Sequence, residues 1–345
     1  LRSRGLGDVY KRQIFIYAAV LFGICSFTSC DNNIADEQFT KMVLLTKNGV
    51  QDYNIEFTGE GQVELKLPIS INGTSKNDRD VTVRLIEDAD TLKDYNFERF
   101  RNRTALYYVL PSEKMYSFPA GPEITIKSGS DYAVFPLTLN LKEFDLYSNY
   151  ILPLQIENVS TYQMAWSKYT KLLMRLNVSN FFSGNYNVDG RVWEESYPDQ
   201  KLPISSTVLR ALTADQCYLY AGNVTDSDED RAGYSLTVKV DKNSYEDSVN
   251  DETGAEIRKY TVVTIGSKNA DKNIKDESNG KSWVEVSRTA DPVNNNLENV
   301  VTKVYLHYSY MNLRDAEYPV KMIFEGTLTR SESIDIRTEE EATSH

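Results

Sequence analysis

Residues 62–72 read QVELKLPISIN, and the alternation within them decides the fold class. Val63, Leu65, Leu67, Ile69 and Ile71 are separated by Glu64, Lys66, Pro68 and Ser70. Side chains on an extended strand point to opposite faces in turn, so this spacing predicts a strand with one face in a core and one in water. The pattern recurs in DVTVRLIE (80–87), YAVFPLTLN (132–140), YILPLQIEN (150–158) and KLLMRLNV (171–178). Several half-buried strands joined by Gly, Asn, Asp and Ser turns predict an antiparallel Ig-like β-sandwich over residues 39–178. Pro68, Pro136 and Pro153 cannot donate to a ladder and point to edge strands or bulges. One helical insert is expected in DADTLKDYNFERFRN from Asp88, with Leu92, Tyr95 and Phe100 as its apolar stripe.

A boundary falls near Val178-Ser179-Asn180, and the second half, 179–330, is again rich in strands. Short apolar runs stand at Leu209–Leu212, Cys217–Ala221, Tyr234–Val240, Tyr260–Ile265, Trp283–Val286, Lys303–Tyr310 and Val320–Leu328. Long polar loops are expected between them, at 223–233, 241–256, 266–281 and 287–299. The segment from Ser331 is acidic and reads as a loose tail to residue 345.

Upstream of the sandwich, residues 14–30 read IFIYAAVLFGICSFTSC. The apolar run is short of the roughly 20 residues that span a bilayer, so residues 1–29 read as a signal peptide. Leu1–Gln13 resembles a stretch that recurs at the start of unrelated translations and is set apart from the native leader. Phe27, Thr28 and Ser29 resemble a lipobox, with small residues at Thr28 and Ser29 just before Cys30, which is therefore the candidate lipidation site; the alternative is an ordinary cleavage nearby that leaves Cys30 a free thiol. Residues 30–38 then form a polar tether.

The chain carries a net charge of −12, and its leader holds more basic than acidic residues, so the mature body is more acidic still. Such a body is repelled by phosphate backbones, which excludes nucleic acid as a partner. Beyond Cys30 the sequence holds only Cys217, in the apolar context QCYLYAG, where an inert buried thiol is expected. There are two histidines, His307 and His345, too few for a Ser-His-Asp triad, a Cys-His dyad or a histidine metal site. No phosphate loop, zinc spacing or redox motif appears, so neither cofactor nor metal is expected, and catalysis would have to rest on carboxylates. Tyrosine is abundant at 23 residues, beside 13 Phe and 3 Trp, which suits both sheet packing and stacking on sugars.

Three segments, ALYYVLPSEKMYSFPAG (105–121), EITIKSGSDYAVFPLTLNL (123–141) and YILPLQIENVS (150–160), followed by KLLMRLNV, carry a resemblance in their order. Residues 40–178 resemble the N-terminal β-sandwich domain of Bacteroidetes surface lipoproteins encoded in Sus-like glycan-utilisation loci. The resemblance implies an outer-membrane, cell-surface, lipid-anchored protein that captures an oligo- or polysaccharide beside a Sus-type importer, with the sandwich as a platform and no catalytic residue in it. The acidic residues after Cys30 are similar to a surface-export signal of that group. The second half resembles the C-terminal domain of the same proteins, which implies a lipocalin- or calycin-like β-barrel. Gly184-Asn185-Tyr186 and Arg330 resemble the lipocalin closure, in which a guanidinium stacks on an aromatic, although that pattern has Trp where this chain has Tyr186.

Trp193 and Tyr197 in RVWEESYP, and Trp283 in GKSWVEV, are the glycan-stacking candidates, because each ring leaves or enters a strand beside polar residues. The competing reading is that they are core rings. Trp166, with Tyr162 and Tyr169, reads as loop packing. Asp226, Asp228 and Asp230 alternate as calcium ligands do, but Arg231 stands where the turn glycine belongs, and a solvated hairpin tip is expected instead. Three functions follow: a non-catalytic glycan-binding lipoprotein, a carboxylate-dependent glycoside hydrolase, or a structural or adhesive surface protein without a sugar site.

Overall fold

The computed structural model describes residues 39–57 and 61–337, so the leader, Cys30, the tether and His345 lie outside the described residues. The protein is all-β. Its first part holds β1 (Met42–Leu45), β2 (Gly49–Glu56), β3 (Gln62–Asn72), β4 (Val81–Glu87), β5 (Tyr116–Ser117), β6 (Glu123–Ile126), β7 (Tyr132–Asn140), β8 (Tyr150–Val159), β9 (Gln163–Met164) and β10 (Lys171–Ser179). They form two five-stranded sheets, ordered β5-β7-β3-β1-β9 and β2-β10-β8-β4-β6. The alternation in Gln62–Asn72 is realised: Leu67, Ile69 and Ile71 are buried while Glu64 and Lys66 are exposed. Leu65 pairs with Leu137 and Leu67 with Phe135 on β7, so both strands give their apolar set to one core. Each such fully buried side chain contributes about 1.5–3 kcal/mol.

The helix Ala89–Phe100 forms where the sequence predicts it, capped by Asp88, whose carboxylate accepts from Thr91 N and meets Lys171 Nζ at 2.7 Å. Leu92 on this helix packs on Ile151 and Leu173, which face away from the sandwich core. That cover explains why β8 reads YILPL and β10 reads LLM without alternation: both faces of these strands are dry. The three prolines correct the expectation of edges and bulges. Each sits in an interior strand, just past the end of one neighbour. Pro68 lies one residue beyond the β1 register, Pro136 beyond the two-residue β5, and Pro153 beyond the last residue of β4, so their missing N–H groups remove no bond on that side.

The second part holds β11 (Gly184–Glu194), β12 (Leu202–Ala211), β13 (Gln216–Tyr220), β14 (Ser235–Val249), β15 (Glu256–Ser267), β16 (Lys275–Asp276), β17 (Trp283–Ala290), β18 (Leu297–Asn312) and β19 (Val320–Asp335). Successive strands pair antiparallel from β11 to β15 and from β17 to β19, β15 pairs with β17, and β19 returns to β11. The result is a closed up-and-down barrel of eight strands, with β16 added on β18. Closed antiparallel pairing leaves no exposed sheet edge. Two expected loops are shorter than their polarity suggested: β14 runs on to Val249 past the end of β13, and β18 begins at Leu297. The acidic segment from Ser331 also starts as strand, since Ser331 pairs with Val301 and Asp335 with Leu297.

Side chains fill this barrel. Tyr186, Leu306, Tyr308, Phe324 and Leu328 point inward and are at most 2% exposed, and the Tyr308 and Phe324 rings stack with centroids 4.9 Å apart. Gly190 and Gly326 face each other across β11 and β19; a Cβ at Gly190 would stand 3.0 Å from the Phe324 ring, so the glycine pair makes room for that ring. The lipocalin-like closure is present. The Arg330 guanidinium lies 5.7 Å from the centre of the Tyr186 ring, donates to the Phe181 carbonyl at 2.7 Å and to that of Ser183, and meets Glu332 at 2.6 Å. Gly184, at φ +143°, would place a Cβ 3.0 Å from Arg330 Cδ.

One buried residue, just past the end of β10, fastens the start of the second part to the barrel. Asn180 is 6% exposed; its Oδ1 accepts from Phe182 N at 3.0 Å, Ser183 N at 2.8 Å and Cys217 Sγ at 3.2 Å. Its Nδ2 donates to the carbonyls of Thr213 and Gln216. Burial pushes the Cys217 thiol up to about 12, so it stays protonated, as its apolar context implies. The sandwich then leans on the outer face of β12–β14: the Tyr147 ring lies 4.8 Å from that of Tyr218, its hydroxyl is 2.8 Å from Thr237 Oγ1, and Lys268 meets Asp145 at 2.8 Å. Asn180→Ala leaves Phe182 N and the Thr213 carbonyl without these bonds and takes one of several from Ser183 N and the Gln216 carbonyl. It is expected to lower unfolding free energy in urea by about 3 kcal/mol; a loss below about 1 kcal/mol would refute the role given to Asn180.

Candidate functional site

Outward-facing residues of β15, β17 and β18 floor an open groove of about 900 Å³. Inward alternation fixes their direction: Val284 and Val286 on β17, and Val304 and Leu306 on β18, belong to the barrel core, so Trp283, Tyr305 and His307 face out. Trp283 and Tyr305 are direct cross-strand partners, with ring centroids 6.0 Å apart and planes 18° from parallel. On the other flank of Trp283, from β15, the Lys259 ammonium lies 4.8 Å from the ring centre. A lysine swings aside at little cost, so that face of the indole is the one a ligand can take.

The walls come from two irregular segments. β16 and β17 occupy one lane beside β18: Asp276 pairs with Tyr308, Glu277 N donates to the His307 carbonyl at 2.9 Å, and the lane resumes at Trp283 opposite Tyr305. Between them the chain loops out through Ser278–Ser282, turning at Asn279 and Gly280, both with positive φ. Ser278 holds this loop by accepting from Lys281 N and Ser282 N at 3.1 Å each. The opposite wall is the part of β14 that outruns β13, around Ser244–Glu246, where Tyr245 is capped by the Arg258 guanidinium at 4.2 Å.

Two polar groups of the groove are held by hydrogen bonds. Glu277 accepts from Ser309 Oγ at 2.6 Å and lies 3.4 Å from Lys321 Nζ; the hydrogen bond first, then the lysine charge, hold its carboxyl below the usual range. Tyr305 donates to Glu325 at 2.9 Å, which orients its ring. Ser282 borders the groove, is 3% exposed, and its hydroxyl has no hydrogen-bond partner. A buried hydroxyl left unpaired costs about 1–3 kcal/mol, which a ligand's hydroxyl can recover.

Of the three stacking candidates, the structure brings only Trp283 into this groove. Trp193 also faces outward, with the Lys201 ammonium 4.1 Å from its ring centre, but it is buried, at 9% exposed, whereas Trp283 is half-buried. Tyr197 is 55% exposed on the loop after β11, apart from Trp283. Trp166 departs from its reading as loop packing, being 69% exposed with Lys168 at 5.6 Å. The Asp226–Asp230 segment is an acidic clasp: Asp226 meets Arg210, Glu229 meets Arg103 of the sandwich, and Asp228 and Asp230 meet Arg314. The alternation of 305–310 puts Tyr305 and His307 on one face of a strand, but nothing in sequence tells which face is outward or joins Tyr305 to Trp283.

Residues 34–160 match a family model described as a domain of unknown function, DUF4973, and residues 170–329 match a second, described as a “-like” C-terminal domain. No curated protein matches the chain. A Bacteroides ovatus protein of unknown function is 21% identical with a TM-score of 0.72, the alignment covering 87% of this chain and 97% of that one. A multidomain protein including DUF1735, also from Bacteroides ovatus, is 21% identical with a TM-score of 0.71, over 86% and 96% of the two chains. An auxiliary nutrient binding protein from Bacteroides thetaiotaomicron is 23% identical with a TM-score of 0.67, over 84% and 92%. At these identities what the chain shares with them is the fold, sandwich and barrel together.

Proposed function

We propose that this protein is a non-catalytic carbohydrate-binding protein, and that the groove over Trp283 and Tyr305 is where a glycan sits. The observation that carries this reading is the cross-strand ring pair, standing half-buried in a groove rimmed by serines, Asn279, Glu277 and His307. Rings supply the apolar faces of the site, and the fixed polar groups supply hydrogen bonds to hydroxyls. A protein of the same fold is described as an auxiliary nutrient binding protein, which accords with capture of a nutrient glycan. In this reading the lipid at Cys30 holds the body on the outer face of the outer membrane beside a Sus-type importer.

The state of Glu277 favours binding over hydrolysis. A glycosidase needs one carboxyl with a raised pKa to act as general acid. Glu277, the carboxyl held in the groove by Ser309 and Lys321, is shifted the other way and stays ionised.

Titration of the mature chain against a glycan panel tests the site. Trp283→Ala and Tyr305→Ala are each expected to weaken the binding glycan roughly tenfold or more, and unchanged affinity in both would remove the groove from the reading. Trp193→Ala is expected to leave affinity unchanged while lowering stability by about 3 kcal/mol in the same preparations. Release of reducing sugar from any member of the panel would promote the hydrolase reading instead. Cys30→Ala should move the expressed protein from the membrane fraction to the soluble one; continued membrane association would contradict the lipid anchor.

A further inference from the structure

We infer that the cleft between sandwich and barrel is an oxyanion site, taking a carboxylate- or sulfate-bearing ligand among Arg99, Arg175 and Arg231. The cleft has a volume of about 290 Å³ and is lined by Asp52, Arg99 and Arg175 from the sandwich and by Arg210, Asp226 and Arg231 from the barrel. Two of the four guanidiniums are answered: Arg175 lies 2.6 Å from Asp52, and Arg210 lies 2.5 Å from Asp226. The other two are not. Arg99 reaches the Tyr95 hydroxyl at 3.5 Å and Arg231 the Asp228 carbonyl at 3.2 Å, and neither has a carboxylate partner among the described residues. The nearby acids are engaged elsewhere, Asp228 and Asp230 by Arg314 and Glu229 by Arg103.

Burial makes this imbalance costly. Arg231 is 8% exposed, and the Nε of Arg175 is buried with no hydrogen-bond partner. A guanidinium stays charged at all relevant pH and offers five N–H donors, so a buried one with few acceptors pays in desolvation. The chain as a whole has acids in excess, at a net charge of −12, yet here it gathers more cations than anions. A planar or tetrahedral oxyanion supplies what is missing, because its oxygens match the guanidinium fork. The volume sits near the lower end of ligand pockets, about 300 Å³, which suits one sugar-sized or inorganic group. Arg210 and Asp226 lie on the sandwich side of the barrel and Trp283 on the opposite side, so this site stands whether or not the groove binds a glycan.

The mature chain, titrated at low ionic strength with inorganic sulfate and with glucuronate, tests the inference, with glucose and matched chloride as controls. Saturable binding of sulfate, glucuronate or both is expected, and none of glucose; the two anions separate a sulfate-ester ligand from a carboxylate one. Arg99→Gln, at an exposed position, is expected to weaken that binding roughly tenfold, and Trp283→Ala to leave it unchanged. Arg231→Gln should abolish it; if that variant fails to fold, Arg175→Lys, which keeps the charge but loses the fork, should weaken it instead. Sulfate and chloride raising stability in parallel without saturation, or Arg99→Gln binding as the parent does, would overturn the assignment.

Discussion

The organising constraint is the packing of large side chains in the middle of the barrel. Eight strands enclose an interior just wide enough for side chains, and here Tyr186, Tyr308, Phe324 and Leu328 take it. Their hydroxyls find partners at the ends of the barrel rather than in a ligand: Tyr186 donates to the Phe182 carbonyl, and Tyr308 accepts from Gly222 N. The Gly190–Gly326 pair serves the same packing by making space for the Phe324 ring. A barrel built this way keeps the lipocalin-like closure with its middle packed, and the groove over Trp283 and Tyr305 lies on its outer wall.

The outer wall is not equally available all round. The sandwich leans on β12–β14, and Tyr218, which points outward from β13, is buried against Tyr147 for that reason. In a ring of eight strands β18 stands opposite β13. The groove therefore lies on the side turned away from the sandwich. It owes its depth to an interruption: the lane shared by β16 and β17 breaks at Ser278–Ser282, and the displaced loop makes a wall beside the rings that follow it. A flat sheet surface would offer the same two aromatics without a rim of polar groups to orient a ligand.

The sandwich was legible because each of its main strands leaves one face dry, so period two survives in Gln62–Asn72 and Tyr132–Asn140. It fails in β8 and β10, where the helix dries the second face, yet the short apolar runs still mark strands. The closure between Tyr186 and Arg330 was legible as a pair of residue types at the two ends of a barrel chain. Three things were not. The far part of β14, Asn243–Val249, is exposed on both faces and reads as loop, because nothing buries it. Trp193 and Trp283 have similar local sequences and each carries a lysine ammonium over its ring; what separates them is burial, Trp193 being covered and Trp283 half-buried. The partnership of Trp283 with Tyr305 is a matter of register between β17 and β18, which local pattern does not specify.

Charge follows the same division of surfaces. Arginines pin the Asp226–Asp230 segment to the barrel and to Arg103 of the sandwich, so carboxylates that resemble a metal loop in sequence are spent on holding two domains together. Ion pairs as exposed as these contribute little singly, in the range of about 0–1 kcal/mol each. Their joint effect is geometric: with Tyr147 against Tyr218 and Asn180 at the hinge of the chain, they set the distance at which Arg99 on the helix faces Arg231 on the barrel. A cleft with that charge exists only when the domains are docked in this way. The docking contacts and the inferred anion site are therefore coupled, and an anion bound there would add the attraction between domains that the two unanswered guanidiniums withhold.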